Sequence, residues 1–268
     1  MRYNENMKKV LQSKLRIAHY NILNGGEERL DRIQEVIKEI DPDICGILEA
    51  VDWQKEKNYF KNFAQKIGYQ SYKLVEANSK YNIAIFSKVP ILIKKLTQDF
   101  RHVAVQVILK EGKYKGLCVF FVHLSPISEE ARLKELKKLL IYVKKHPEVI
   151  VMGDFNALSL KDPYNHKKLL HSFKEKNIVK YGVDQLRFDV VKKIESFGLF
   201  DSMNYLKIPF TFSVPTLSNR DINHAVALRV DYAFVTNGLL KHLKSAKIFK
   251  DKTSDIASDH YSFYIDLK

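Results

Sequence analysis

The stretch Glu148-Val149-Ile150-Val151-Met152-Gly153-Asp154-Phe155-Asn156 constrains the fold most. Four consecutive apolar residues with no polar break specify a strand buried on both faces. Gly153 then releases the backbone, and Asp154 and Asn156 follow one residue apart. Residues two apart on extended chain point the same way, so a carboxylate and a carboxamide face one small volume at a sheet rim. Taken alone, the pair serves a turn as well as a site.

The rest of the chain surrounds that strand with more strands and with helices between them. Residues 15–23 alternate as a first strand, stopped by Asn24-Gly25-Gly26. From Glu27, Leu30, Ile33, Val36, Ile37 and Ile40 recur at helical spacing until Asp41-Pro42. Ile44–Leu48 is a short buried strand that delivers Glu49. Residues 52–68 read as a second helix, and residues 69–75, 83–87 and 91–96 as strands. Residues 102–110 alternate, with Val103, Val105, Val107 and Leu109 on one face, and turn through Glu111-Gly112-Lys113 into residues 117–123. A third helix begins near Ser128, with Glu129 and Glu130 in its first turn and Leu133, Leu136, Leu140 and Val143 inward. Residues 158–185 are polar and read as a long surface excursion, and residues 187–197 as a helix stopped by Gly198. Residues 210–214, 230–235, 246–249 and 261–265 are further strands. This order predicts one domain over residues 15–268, preceded by a short polar extension at residues 1–14, with two sheets face to face and helices outside.

Charge says more than size. The 268 residues are 46% hydrophobic and 12% aromatic, enough for a substantial core, and carry 45 Lys and Arg against 31 Asp and Glu. The resulting +14 favours polyanionic partners, nucleic acid first and acidic lipid headgroups second. Cys45 and Cys118 each sit in an apolar run and imply no disulfide framework. No apolar run is long enough to cross a bilayer, and the first residues lack a signal core. The expectation is a cytoplasmic monomer with no protein partner.

Polar residues recur where apolar strands run out: Asn21, Glu49, His123, Asp154, Asn156, Asp231 and the pair Asp259-His260. Each singly admits a structural explanation as a cap or core residue, but their joint recurrence points to a site. The stretches Tyr20-Asn21-Ile22, Ile47-Leu48-Glu49, Ile83-Ala84-Ile85-Phe86-Ser87-Lys88, Val122-His123-Leu124, Gly153-Asp154-Phe155-Asn156, Arg229-Val230-Asp231-Tyr232 and Ser258-Asp259-His260 resemble, in order, the endonuclease/exonuclease/phosphatase superfamily. That resemblance implies a four-layered α/β sandwich of two packed mixed β-sheets flanked by helices. It also implies phosphoester hydrolysis assisted by a divalent metal, usually Mg²⁺, with Mn²⁺ as a substitute.

Carried over on the same resemblance, Glu49 is the principal metal ligand, with Asp259 near the metal. Asp154 orients or deprotonates the attacking water, Asn156 fixes that geometry, and Asn21 donates to a phosphate oxygen. Asp231 holds the tautomer of His260. His123, once protonated, neutralises phosphoryl charge or assists the leaving group, with Glu76 as its carboxylate partner. Arg229, Lys241 and Lys244 are expected to meet substrate, alongside Lys247, Lys250 and Lys252 and the excursion lysines Lys161, Lys167 and Lys168. Leu48, Leu23 and His123 depart from the pattern of AP endonucleases and count against a standard abasic-site enzyme. The expected function is a Mg²⁺-dependent phosphodiesterase acting on DNA or RNA. A phosphatase or lipid phosphodiesterase, and a non-catalytic polyanion-binding protein, are the alternatives.

Overall fold

Alternating burial along short strands is what builds this molecule, and a computed structural model describes it for residues 14–55, 59–219, 224 and 226–268. In the first sheet are β1 (Leu15–Asn21), β2 (Ile44–Leu48), β3 (Ser71–Val75), β4 (Ile83–Ser87), β11 (Leu243–Ile248) and β12 (Phe263–Leu267). The second holds β5 (Ile91–Leu96), β6 (Ala104–Leu109), β7 (Cys118–His123), β8 (Val149–Asp154), β9 (Leu199–Asp201) and β10 (Asp231–Thr236). Their orders are β11-β12-β1-β2-β4-β3 and β5-β6-β7-β8-β10-β9. β1 with β2 and β7 with β8 are parallel and the other pairs antiparallel, so both sheets are mixed.

One face of each sheet meets the other. Ile17, Ile44, Leu48 and Ile85 pack against Val105, Val119, Phe121, Met152 and Val235 in one apolar layer. The sheets approach closely at Gly46, where a Cβ would lie 2.2 Å from Phe121 Cδ1, so only glycine fits there. On the outer face of the first sheet, α1 (Leu30–Ile40) and α2 (Tyr59–Lys66) bury Ile33, Val36, Ile37 and Phe63 against Tyr20, Cys45 and Phe86. On the second, α3 (Glu129–Val143) and α5 (Asp189–Ser196) bury Leu136, Leu139, Val143, Val190 and Ile194 against Phe120, Val151 and Phe234. The result is the expected four-layered sandwich.

Several local expectations change. β1 ends at Asn21, and the chain continues into a 3₁₀ segment at Asn24–Arg29 in which Gly25, Gly26 and Glu27 all have positive φ. Residues 51–55 of the expected second helix form turns, Tyr59–Lys66 is helical, and residues 56–58 lie outside the described residues. The excursion is not merely surface: it carries α4 (His166–Glu175) and a satellite core of Leu158, Leu169, Phe173 and Tyr181 against Val214, Leu228 and Val230. Residues 210–214 form no strand, only the bridge Val214 to Leu228. Ser128 caps α3, its side chain accepting from the Ala131 N–H, as the sequence predicts. Glu129, however, turns inward, where its carboxylate pairs with Arg132 at 2.8 Å with both residues buried. Short helices follow β9 and β10, namely α6 (Ser202–Tyr205) and α7 (Asn237–Leu240).

Candidate active site

The site begins where the apolar stripe between the sheets stops. On β8 the inward positions are Ile150, Met152 and then Asp154; on β7, Val119, Phe121 and then His123; on β10, Val235, Ala233 and then Asp231. β8 register pairs Asp154 with both His123 and Asp231, so the three polar residues form one rung across the second sheet. On β1 the same alternation carries Leu15 and Ile17 into His19 and Asn21, facing the rung from the first sheet. Gly153, at φ 145°, lets β8 pass Val122, whose carbonyl oxygen would lie 1.9 Å from a Cβ there.

Asp154 is the hub. Its Oδ2 accepts from Asn21 Nδ2 at 3.3 Å and from Asn156 Nδ2 at 3.1 Å, and lies 3.5 Å from His123 Nε2 and 3.8 Å from His260 Nε2. Its Oδ1 accepts the Asn156 N–H at 2.8 Å. Asn156 adopts φ 49°, a left-handed conformation that asparagine tolerates better than most residues. Lys180 donates to Asn156 Oδ1 at 2.9 Å, which fixes the carboxamide with its nitrogen toward Asp154. Lys180 is itself held by Arg132, whose guanidinium donates to the Lys180 carbonyl and to Ser125 O.

Asp231 lies between two histidines. Its Oδ2 is 2.8 Å from His260 Nδ1 and its Oδ1 is 3.1 Å from His19 Nε2. Burial alone would lower the His260 pKa, but Asp231, Asp259 and Asp154 raise it to about 10, so the ring is an imidazolium at neutral pH. Burial works against the Asp231 carboxylate as well, yet His260 and His19 hold it well below the usual carboxylate range. Burial also pushes the Asp154 carboxyl upward, against the pull of His260. His123 departs from expectation, because burial and the charge of His260 hold it down to about 3, a neutral ring.

Glu49 follows β2 with φ 61°, an uncommon conformation for this residue type. Its Oε1 accepts from Asn21 Nδ2 at 3.2 Å and its Oε2 from the Asn24 N–H at 3.0 Å. Burial pushes this carboxyl up to about 7, with nearby Asp259 adding to the shift. Burial likewise opposes the Asp259 carboxylate, but His260 and His224 bring it to about 2. Among the described residues Asn24 Oδ1 is buried without a hydrogen-bond partner. Glu49, Asp259 and Asn24 line one cleft of ≈ 470 Å³ together with Tyr81, His102, His123, Asp154, Asn156, Lys180 and His224. Hard carboxylate and carboxamide oxygens of this kind fit Mg²⁺ or Mn²⁺. His224, Asp259 and His260 also present ligand atoms within 4.8 Å of one another. That set fits a cation less well, since His260 is protonated and bound to Asp231.

The structure thus brings Asn21, Glu49, His123, Asp154, Asn156, Asp231, Asp259 and His260 together and leaves Arg229, Lys241, Lys244 and Glu76 elsewhere, and the other lysines expected to meet substrate, Lys161, Lys167, Lys168, Lys247, Lys250 and Lys252, do not line the cleft. Arg229 is 1% exposed and clamped by Asp162 and Asp201, with Nη2 2.7 Å from each, so it ties the excursion to the second sheet instead of meeting substrate. Lys241 and Lys244 flank Leu243, whose register partner Leu267 also pairs with Leu15, at the end of β1 remote from Asn21. Glu76 is exposed, and among the described residues no hydrogen bond joins it to His123, whose Nδ1 has no partner. Five residues of the site were not singled out from sequence: His19, Asn24, His102, Lys180 and His224. For His19 alone a signal existed, the period-two alternation from Leu15 through Ile17.

Residues 18–260 match the model of the Endonuclease/Exonuclease/phosphatase family. Among solved structures the chain is similar to the 3' phosphatase NExo from Neisseria bound to product DNA hairpin, with 15% identity, TM-score 0.71 and coverage of 95% of this chain and 99% of that one. It is similar also to an AP endonuclease from Archaeoglobus fulgidus, with 19% identity, TM-score 0.69 and the same coverage, 95% and 99%. An endonuclease/exonuclease/phosphatase from Beutenbergia cavernae gives 17% identity and TM-score 0.62, over 96% of this chain and 72% of that one. At such identities these structures speak for the fold alone. Comparison with curated proteins finds no match. Among the described residues no helix is long and apolar enough to cross a membrane. The family match runs nearly end to end, and the chain belongs to the endonuclease/exonuclease/phosphatase family, whose members hydrolyse phosphoesters.

Proposed function

We propose that this protein hydrolyses phosphoesters of nucleic acid with a divalent cation, using Asp154 as the base that activates water. The observation that carries the reading is the convergence of Asn21, Asn156, His123 and His260 around the single oxygen Asp154 Oδ2. The two carboxamides fix the carboxylate, and its upward-shifted pKa makes it a better proton acceptor than a solvated aspartate. Water attacks phosphorus as its proton passes to Asp154, a new P–O bond forms, and the bond to the leaving oxygen breaks. That oxygen collects its proton from solvent.

The remaining residues manage charge. His260, an imidazolium held through Nδ1 by Asp231, offsets negative charge gathering on the phosphoryl oxygens. Lys180 brings an ammonium to the same cleft while orienting Asn156. Glu49, Asp259 and Asn24 Oδ1 would hold the cation. When bound, it supplies polarisation of a phosphoryl oxygen and stabilisation of the leaving alkoxide.

Nucleic acid is favoured as substrate by the +14 charge and by Lys180 in the cleft, which suit a polyanion. Leu23, Leu48 and His123 keep the departures from AP endonucleases noted above, so the abasic-site reaction is not the one proposed. The test is a labelled panel of single-stranded DNA, duplex DNA, abasic duplex, RNA and a phosphoinositide at fixed salt, with Mg²⁺ or with chelator. Cleavage of a nucleic acid that chelator abolishes supports the reading. Cleavage of the lipid alone, or of nothing, defeats it.

A further inference from the structure

His102 is buried in the cleft, yet the reaction as written does not use it. Its Nδ1 lies 2.7 Å from Ser79 Oγ, which also accepts the Tyr81 N–H at 3.2 Å. The ring lies flat against His123, with centroids 4.6 Å apart and planes 25° apart. Tyr81 sets its ring edge-on against both, at 5.1 Å and 84° to His102 and 6.0 Å and 72° to His123.

A histidine at a reacting centre is usually aimed by a hydrogen bond to its other nitrogen. Among the described residues His123 has none, for its Nδ1 is buried without a partner. Its Nε2 is nonetheless fixed 3.5 Å from Asp154 Oδ2 and 3.9 Å from Glu49 Oε1. We propose that His102 is a positioning residue that aims the His123 ring by stacking, with Ser79 and Tyr81 locking the stack, where a carboxylate would otherwise hold Nδ1. The inference rests on the hydrolytic reading of the cleft, because it gives His123 a phosphoryl group to face.

The experiment compares His102→Phe, His102→Ala and Ser79→Ala in the full chain. It reads kcat and KM on bis-p-nitrophenyl phosphate with Mg²⁺, together with imidazole ¹⁵N spectra that report the His123 tautomer without turnover. The phenylalanine ring should keep kcat within about threefold, while alanine at position 102 should lower it about tenfold to a hundredfold with KM nearly constant. The His123 signals should keep one tautomer in wild type and His102→Phe, and average between two in His102→Ala. Ser79→Ala, which keeps the ring, should show the same change in part, and it serves should His102→Ala not fold. If His102→Phe is as damaged as His102→Ala and KM rises in both, His102 touches substrate itself and the proposal is wrong. An unchanged His123 spectrum in both His102→Ala and Ser79→Ala also overturns it. Absence of turnover in wild type would defeat the hydrolytic reading, while the spectra would still decide whether the stack aims His123.

Discussion

Replacing Arg132 with methionine is the sharpest test of how the cleft is supported from behind. Arg132 is fully buried on α3, where Nη2 meets Glu129 Oε2 at 2.8 Å and donates to the Lys180 carbonyl, and Nη1 donates to Ser125 O at 3.1 Å. Methionine fills similar volume but leaves the Glu129 carboxylate, 2% exposed, without its counter-charge, and leaves two carbonyls without a donor. Breaking a buried ion pair from one side costs about 3–5 kcal/mol. At about 2–4 °C per kcal/mol for a chain of this size, the melting temperature should fall by roughly 6–20 °C. Freed from Arg132, Lys180 should also loosen its hold on Asn156, and kcat should fall with stability. Thermal unfolding followed by circular dichroism, with parallel rates on bis-p-nitrophenyl phosphate, measures both. The companion variant Arg132→Met/Glu129→Gln removes the stranded charge and keeps an acceptor for the Val190 N–H, now 2.9 Å from Glu129 Oε1. It should recover about 2 kcal/mol of the loss. If the double variant is no more stable than Arg132→Met, stranded charge is not what the arginine prevents.

Asp154→Asn should lower kcat by about 10²–10⁴ with the circular dichroism spectrum intact, and turnover near wild type would remove Asp154 as the base. Glu49→Gln should raise the Mg²⁺ concentration for half-maximal rate at least about tenfold, and an identical metal titration would refute its place in the cation site. Stability should also depend on pH through His260. Its folded pKa near 10 lies above the ordinary value of 6.5, so its contribution is full below pH 6.5 and is lost as pH rises through 10. Urea midpoints should accordingly fall between pH 7 and 10. Asp231→Asn, which removes the largest upward influence on His260, should flatten that slope, and an equally steep slope in the variant would contradict the assignment.

What sequence could tell about this site depended on whether a residue's role is local to its strand. Asp154, His123 and Asp231 were legible because each sits where an apolar alternation ends, and strand geometry alone puts such residues at a sheet rim. Lys180 and His224 come from outside the strands, where no periodicity constrains direction, and His102 opens the alternating run 102–110 but precedes β6, which begins at Ala104, so only the packed layers bring the three to the cleft. Arg229 was misread for the opposite reason. Its neighbour Asp231 is in the site, but its own side chain goes to Asp162 and Asp201, which the sequence keeps 67 and 28 residues away. Lys241 and Lys244 depended on the direction of β11, which pairing with β12 sets and composition does not. The excursion looked solvated because its apolar residues are spaced among lysines, yet Leu158, Leu169, Phe173 and Tyr181 find partners as distant as Leu228.

The Gly46 contact has a mechanical side. Gly46 lies three residues before Glu49 and presses on Phe121, two residues before His123, so one van der Waals contact joins the strands that carry groups on opposite walls of the cleft. The thickness of the apolar layer is thus the ruler for the distance between Glu49 and His123. Thickening it by a single methyl would act like a shim in a hinge, splaying the walls by a fraction of an ångström. Reacting groups must be held to roughly half an ångström. Turnover should therefore respond to the packing between the sheets together with the melting temperature.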